Sequence, residues 1–445
     1  MTGTELLTMA DELDGYYRAF DGCCPRSEGR AMLRRYARGQ LGPLERKSLE
    51  PIADAEGIAP RTLQFFFVNN GFDEEKALVL HQQRVAHEMG GADGIFVIDE
   101  TSDAKKGEWT AGVDKQYCGE SGKLDTCIVS VHVAYVREDT HCLLDGELFL
   151  PESWNPDAPD PDIARKRERA KIPAAAVHET KTVMALRQLK RARENGVPGR
   201  YVTADALYGG APWWRRAVAD LGLVYAVEVP SNVYGWIGQP GGKAKPLAHW
   251  AAKHRSLRCG SKKQVRTHET EKGPEVWAVR RATFVEQAEA APKGTQTLLV
   301  AWNVRTGERK FFLANAPRGM KTEALLKVAF SRWRVERCFQ DAKGEVGLNH
   351  AELRTYRGLR RHFLLTAINH YFLVTRVRRR GEKGSDVAAG GRRAAGDPGA
   401  AKRGNHDLGA SGRAFGTVSL GGDTYAGTES QGAKISAQAP PAKVA

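Results

Sequence analysis

The chain has 445 residues, 41% hydrophobic and 27% charged, which is room for two or three domains of ordinary soluble composition. Its 67 Lys+Arg against 53 Asp+Glu leave a formal net charge of +14, which favours a polyanionic partner, either nucleic acid or an anionic membrane surface. No stretch approaches the roughly 20 apolar residues of a membrane span, and the acidic start MTGTELLTMADELDGYY lacks a signal-peptide core, so the chain reads as intracellular and cytoplasmic.

Residues 1 to about 90 read as helical, with Met32, Tyr36 and Leu41, and then Leu63, Phe66 and Phe67, recurring at helical spacing. The stretch RAMLRRYARG sets Arg30, Arg34 and Arg38 four apart, with Arg35 beside them, so three arginines can form a ridge on one face. Two readings stay open: a small bundle with a solvated basic face, or a DNA-binding module whose ridge contacts phosphates. Strand signals begin near Gly94. GIFVIDE is a short apolar run closed by two acids; KQYCGESGKLDTCIVSVHVAYV and HCLLDGELFLP follow, rich in β-branched and aromatic residues, and together they predict three strands meandering antiparallel. Residues 160–198 predict a helix that stops at Gly196-Val197-Pro198. RYVTADALYGG is a strand and loop, APWWRRAVADLG a helix and LVYAVEVP a strand, which is the alternation of a mixed sheet with helices on its faces. From 231 to 318 the chain turns β-rich, with VWAVRRATFVE, TQTLLVAWNVR and RKFFLANAP after a short helical KPLAHWAAKH. Helix returns with KTEALLKVAFSRWRVERCFQDAKGEVGL and RGLRRHFLLTAINHYFLVTRVRRR. Beyond Arg380 Gly, Ala and Ser dominate, so 381–445 is expected to be a disordered tail.

The seven cysteines form no Cys-x-x-Cys pair and none stands at zinc-ligand spacing from a histidine, so they read as buried reduced thiols. Three acids stand out. Asp99 closes the strand FVI, Asp205 closes YVTA, and Glu336 lies inside the helical FSRWRVERCFQDAKGE. An acid at the end of a buried strand is costly unless paired or bound to a cation, and the strand ends of an open α/β sheet are where ligands gather. Mg²⁺ prefers carboxylate oxygens and water, and two such ions suit phosphodiester chemistry, one activating the attacking oxygen and one stabilising the leaving oxygen. A chain with 53 acids also places some at strand ends by chance. Arg332, Glu336 and Lys343 fall within roughly 40° on one helix face, where cations flanking a metal-binding Glu suit a phosphate backbone. An i,i+4 salt bridge from Arg332 to Glu336 accounts for the first spacing equally well. Glu345 is the next candidate if Glu336 lies far from both aspartates.

The stretches VIDETSDAKKGEWTAGVDKQYCGESGKLDTCIVSVHVAYV, DGELFLPESW, YVTADALYGG and RWRVERCFQDAKGEVGLNHAELRTYRGLRRHFLL, with LGPLERKSLEPIA and RTLQFFFVNN before them, resemble a bacterial insertion-sequence transposase of the DDE superfamily. The branch is the one with a Tyr-Arg-Glu-Lys signature on the glutamate helix, and the resemblance covers most of residues 30–375. It implies an α/β fold with a ribonuclease-H-like mixed sheet (91–230 and 319–380), a β-rich insertion (231–318) between the second aspartate and the glutamate, and an N-terminal helical domain (1–90). It implies that Asp99, Asp205 and Glu336 are catalytic and hold two Mg²⁺ ions, with Mn²⁺ as a substitute, and that Arg332 and Lys343 are the signature cations. The signature Tyr position is Ala329, with Phe330 beside it. The implied activity cuts double-stranded DNA at the ends of a mobile element and joins the 3′-hydroxyl to target DNA, as a homodimer associated with the nucleoid. Lys105, Lys106 and Lys123 are further candidate backbone contacts, or solvated turn lysines. Family members continue as helix after a stretch like HFLLTAINHYFLV, whereas the Gly/Ala-rich texture here is what a shifted frame in GC-rich DNA produces. A catalytically idle DNA-binding remnant is therefore the second expectation.

Overall fold

Five helices come first: α1 (Gly3–Arg18), α2 (Ser27–Leu41), α3 (Leu49–Ala55), α4 (Pro60–Asn69) and α5 (Glu74–Glu88). The structure, a computed structural model, describes residues 3–394 except 70, 260–261, 271–272 and 318. Asp73 caps α5 by accepting from the Lys76 backbone N–H at 2.9 Å. The helical periodicity buries Tyr17, Leu33, Tyr36, Ile52, Phe66 and Phe67. Their partners lie far along the chain: Tyr17 Oη donates to Asn369, Tyr36 Oη hydrogen-bonds His362 Nδ1 at 2.7 Å, and Gln40 Nε2 donates to the Val346 carbonyl at 2.9 Å. These helices therefore share one apolar core with the helices that follow the sheet.

The strands are β1 (Ile95–Ala104), β2 (Asp114–Cys118), β3 (Lys123–Arg137) and β4 (Thr140–Leu148). After α6 (Ile163–Arg169) and α7 (Lys181–Glu194) come β5 (Tyr201–Ala204), α8 (Ala206–Gly209), α9 (Pro212–Asp220) and β6 (Val224–Val229). Then follow β7 (Tyr234–Ile237), β8 (Lys245–Pro246), α10 (Leu247–Lys253), α11 (Arg255–Arg258), β9 (Lys263–Thr270), β10 (Gly273–Glu286), β11 (Gln296–Asn303) and β12 (Arg309–Ala314). The chain returns to helix in α12 (Thr322–Phe330), α13 (Trp333–Val346) and α14 (Tyr356–Ala394). All twelve strands join one mixed sheet in the order β2-β3-β1-β5-β6-β12-β11-β10-β7-β8, with β4 on β3 and β9 on β10. The strands of 231–318 extend this sheet through β12, which runs antiparallel to β6 from Phe311↔Val229 to Ala314↔Ala226. The compact unit runs to Ala388; of the expected tail, residues 395–445 lie outside the described residues, and up to Ala394 the chain is the end of α14.

Strand alternation sorts the core into two faces. Ile95 and Val97 of β1 pack with α12, α13 and α14, whereas Phe96 and Ile98 pack with α7 and α9. Four readings need correction. The meander has four strands, because β2 separates from β3 at a turn through Gly119 and Gly122. β1 does not stop at its acids: pairing with β5 ends at Ile98↔Ala204, but pairing with β3 continues to Ala104↔Cys127. The helix expected over 160–198 is two helices, since Pro173 cannot donate to a helical ladder. The helix around Glu336 breaks between α12 and α13, where the Ser331 hydroxyl donates to the Val328 carbonyl at 2.7 Å. Among the described residues the seven cysteines are free, six buried and Cys259 exposed. No described helix is long and apolar enough to cross a membrane.

Candidate active site

The register places the first two acids side by side. Ile98 pairs with Ala204 across parallel β1 and β5, so Asp99 and Asp205 are the next neighbours, where β5 ends and the sheet splits. Asp99 follows Ile95 and Val97 onto the α13 face. Asp205 follows Thr203, whose hydroxyl donates to the Ala329 carbonyl of α12. Asp205 also caps α8, accepting from the Leu207 N–H at 2.9 Å. Gly209 lets the next turn lie against β6, where a Cβ would collide with the Glu228 carbonyl. Arg332 joins the third acid to this pair: Nη1 donates to Asp99 Oδ2 and Nη2 to Glu336 Oε1, each at 2.9 Å. Glu336 lies in the first turn of α13 with its side chain 55% exposed. Arg332 and Glu336 open onto a hollow of about 170 Å³ floored by Trp277, Phe312 and Phe330.

Burial dominates the electrostatics. It pushes the Asp99 carboxyl up to about 7, against the pull of Arg332 and with added repulsion from Asp205. Burial also raises Asp205, helped by the negative charge of Glu100. A pair of buried carboxylates that one guanidinium does not fully neutralise is short of positive charge, and oxygen donors of this kind suit a hard divalent cation. The donor chemistry therefore fits Mg²⁺ or Mn²⁺. Among the described residues no three acidic, His or Cys side chains are already gathered around a common point, because Arg332 stands between Asp99 and Glu336.

Glu100, the second acid of VIDET, does not join Asp99. It faces the opposite side of β1, where its carboxylate accepts from Lys181 Nζ at 2.8 Å and from the buried Tyr208 hydroxyl at 2.8 Å. It thus ties Lys181 of α7 and Tyr208 of α8 to β1. The order Asp-Glu in VIDET carries the only sequence signal for this; neither Lys181 nor Tyr208 is marked by spacing.

The remaining candidates divide. Lys343 is half-buried near Asp103 and His132. Lys105 is committed to Asp103 and to the Ala351 carbonyl. Lys106 and Lys123 are exposed, as is Glu345 at the end of α13. The α2 ridge is neutralised internally: Arg34 pairs with Asp21 at 2.7 Å, Arg38 with Glu56 at 2.7 Å, and Arg30 donates to the Cys24 carbonyl at 3.2 Å. Replacing Arg34 and Arg38 with Gln is therefore expected to cost on the order of 1 kcal/mol of stability and to leave the salt dependence of DNA binding unchanged. Equilibrium denaturation and a salt titration of DNA affinity check the two halves, and a shallower salt dependence would return the ridge to the DNA interface.

Residues 19–291 match the family of DDE superfamily endonucleases. The chain belongs to that family. The matched span holds Asp99 and Asp205 and ends before Glu336. The chain is also similar to a protein of Microchaete diplosiphon described as a probable transposase for insertion sequence element IS701, with 32% identity over 198 residues, or 44% of this chain and 48% of that protein. The chain thus spans about half the length of the curated relative it matches.

Proposed function

We propose that the chain is the transposase of a bacterial insertion sequence, cutting DNA at the element's ends and joining the freed 3′-hydroxyl to target DNA. The observation that carries this reading is that Asp99 and Asp205 follow the paired Ile98 and Ala204 at the end of β5 while Arg332 links Asp99 to Glu336. In the first step a water oxygen attacks the phosphorus, the bond from phosphorus to the 3′ oxygen breaks, and that oxygen leaves protonated as the 3′-hydroxyl. In the second step the 3′-hydroxyl attacks a target phosphorus and displaces a target oxygen. Asp99, Asp205 and Glu336 are the residues that would hold divalent cations, which supply activation of the attacking oxygen and charge stabilisation of the leaving one. Arg332 sits where its planar donors can grip a phosphate oxygen. Lys343 and the exposed Lys106 and Lys123 add positive charge for the backbone. The name carried by the Microchaete diplosiphon relative supports the same reading.

The test uses the full chain, Mg²⁺ and DNA carrying the terminal sequences of its own element. Wild type is expected to nick at the ends. Glu336→Gln keeps the side-chain shape but loses the charge, so cleavage should fall by about 10³-fold or more while DNA affinity, which comes from Lys and Arg, stays close to wild type. A Glu336→Gln protein that cuts at the wild-type rate would remove Glu336 from the site.

A further inference from the structure

β1 and α13 leave the catalytic acids together. Arg332 lies against Asp99, and Lys343 acts on the carboxyl of Asp103. Asp103 lies four residues beyond Asp99, about 13 Å at the usual rise, and Lys343 lies eleven residues beyond Arg332, about 17 Å along the helix. Both elements end at a cleft of about 640 Å³, closed by the loop that follows α13. Four cations line it: Arg46, Lys105, Lys106 and Arg354. Its two carboxylates are already engaged, Asp103 by Lys105 and Glu352 by Arg46 at 2.5 Å. Lys106 and Arg354 are exposed, and no described residue partners either side chain. The cleft therefore presents two uncommitted positive charges beside internally balanced pairs, and its lining is polar.

We propose that this cleft binds the backbone phosphates of the same DNA duplex that is cut at Asp99, with Lys106 and Arg354 as the contacts. The proposal rests on the reading of Asp99, Asp205 and Glu336 as the cutting centre. Successive phosphates of one strand advance about 3.4 Å along the helix axis, so a duplex lying over the β1–α13 seam brings phosphates roughly four steps from the cut to the cleft. Arg354 comes from the loop after α13 and Lys106 from the turn after β1, so the duplex would be gripped by the two elements that carry Glu336 and Asp99.

The test is a salt titration of binding to generic duplex DNA by the full-length Lys106→Gln/Arg354→Gln protein. Each lost phosphate contact lowers the slope of log K against log salt by about 0.9, so the double variant should lose about 2 from the slope. A control pair on other elements, Arg61→Gln/Lys190→Gln, should leave the slope unchanged. Both pairs remove exposed side chains without internal partners, and unchanged melting temperatures confirm the folds. On a cleavable substrate the double variant should raise KM and keep kcat, as loss of uniform binding does. A slope equal to wild type, an equal loss in the control pair, or a fall in kcat at constant KM would overturn the proposal. Absence of Mg²⁺-dependent cleavage by wild type would instead count against the cutting centre, and the binding slopes would still be read.

Discussion

Asp99→Asn is expected to lose strand cleavage by about 10³-fold or more and, in the presence of a chelator, to melt at a higher temperature than wild type. Asn keeps the shape of the carboxylate, and its one amide oxygen can still accept from Arg332, which now reaches Asp99 Oδ2 at 2.9 Å, at the cost of the acceptor that Oδ1 offers the Glu100 N–H at 2.9 Å. What disappears is a charge that burial disfavours. The Asp99 carboxyl is raised to about 7 in the folded chain, above the ordinary aspartate value. A group raised in this way contributes its stability below the unfolded value and loses it as pH rises through the folded value. The advantage of Asn should therefore be absent near pH 4 and largest above pH 7. Adding Mg²⁺ should narrow the gap, because a cation bound only by the folded wild type stabilises it. Thermal melts across pH, with and without chelator, together with a nicking assay, check each part. A variant that is both inactive and less stable above pH 7 would mean that Arg332 already neutralises the site.

A second large effect is expected at Arg215. This arginine of α9 is fully buried, and it pairs with Glu286, at the end of β10, which is 3% exposed. Its other terminal nitrogen donates to the carbonyl of Gly209, in the turn that follows Asp205. Gln296 completes the cluster by donating to Glu286 at 3.1 Å. Arg215→Met leaves Glu286 buried without its counter-charge, which costs about 3–5 kcal/mol and lowers Tm by roughly 10 °C. Arg215→Met/Glu286→Gln removes both charges and should recover much of that loss, since replacing a whole buried pair is far milder than breaking it. Cleavage should fall in the single variant beyond what unfolding explains, because the Asp205 turn loses its anchor. Denaturant melts of the two variants decide the matter, and a single variant costing under about 1 kcal/mol would show that the pair does not tie β10 to the turn after Asp205.

How much of this was legible in the sequence depends on the range of the interaction. YVTA closed by an acid marked Asp205 because a short buried strand reads locally. Asp99 was found for the same reason, yet the continuation of β1 was hidden: Glu100 to Ala104 are mostly polar because only β3 pairs with them there. Pro173 was a readable break in the helix expected over 160–198, whereas Ser331-Arg332 carries no Gly or Pro to mark the end of α12. The union of the N-terminal helices with α13 and α14 rests on pairs such as Tyr36–His362 and Tyr17–Asn369, more than 300 residues apart, which periodicity cannot reveal. The arginine ridge of α2 was correctly placed on a helix, but its acidic partners Asp21 and Glu56 belong to other segments. The roles of the neighbouring acids Asp99 and Glu100 depend on which face of β1 each meets, which their order alone does not give.

The central claim is that Asp99, Asp205 and Glu336 form one cation-holding centre. Anomalous diffraction from crystals of the full chain grown with Mn²⁺ and DNA tests it most directly. Manganese is expected between Asp99 and Asp205, with Glu336 turned from Arg332 toward the metal and carboxylate oxygens at about 2.1 Å, as for the closely similar Mg²⁺. Manganese bound elsewhere, with Arg332 still bridging Asp99 and Glu336, would contradict it.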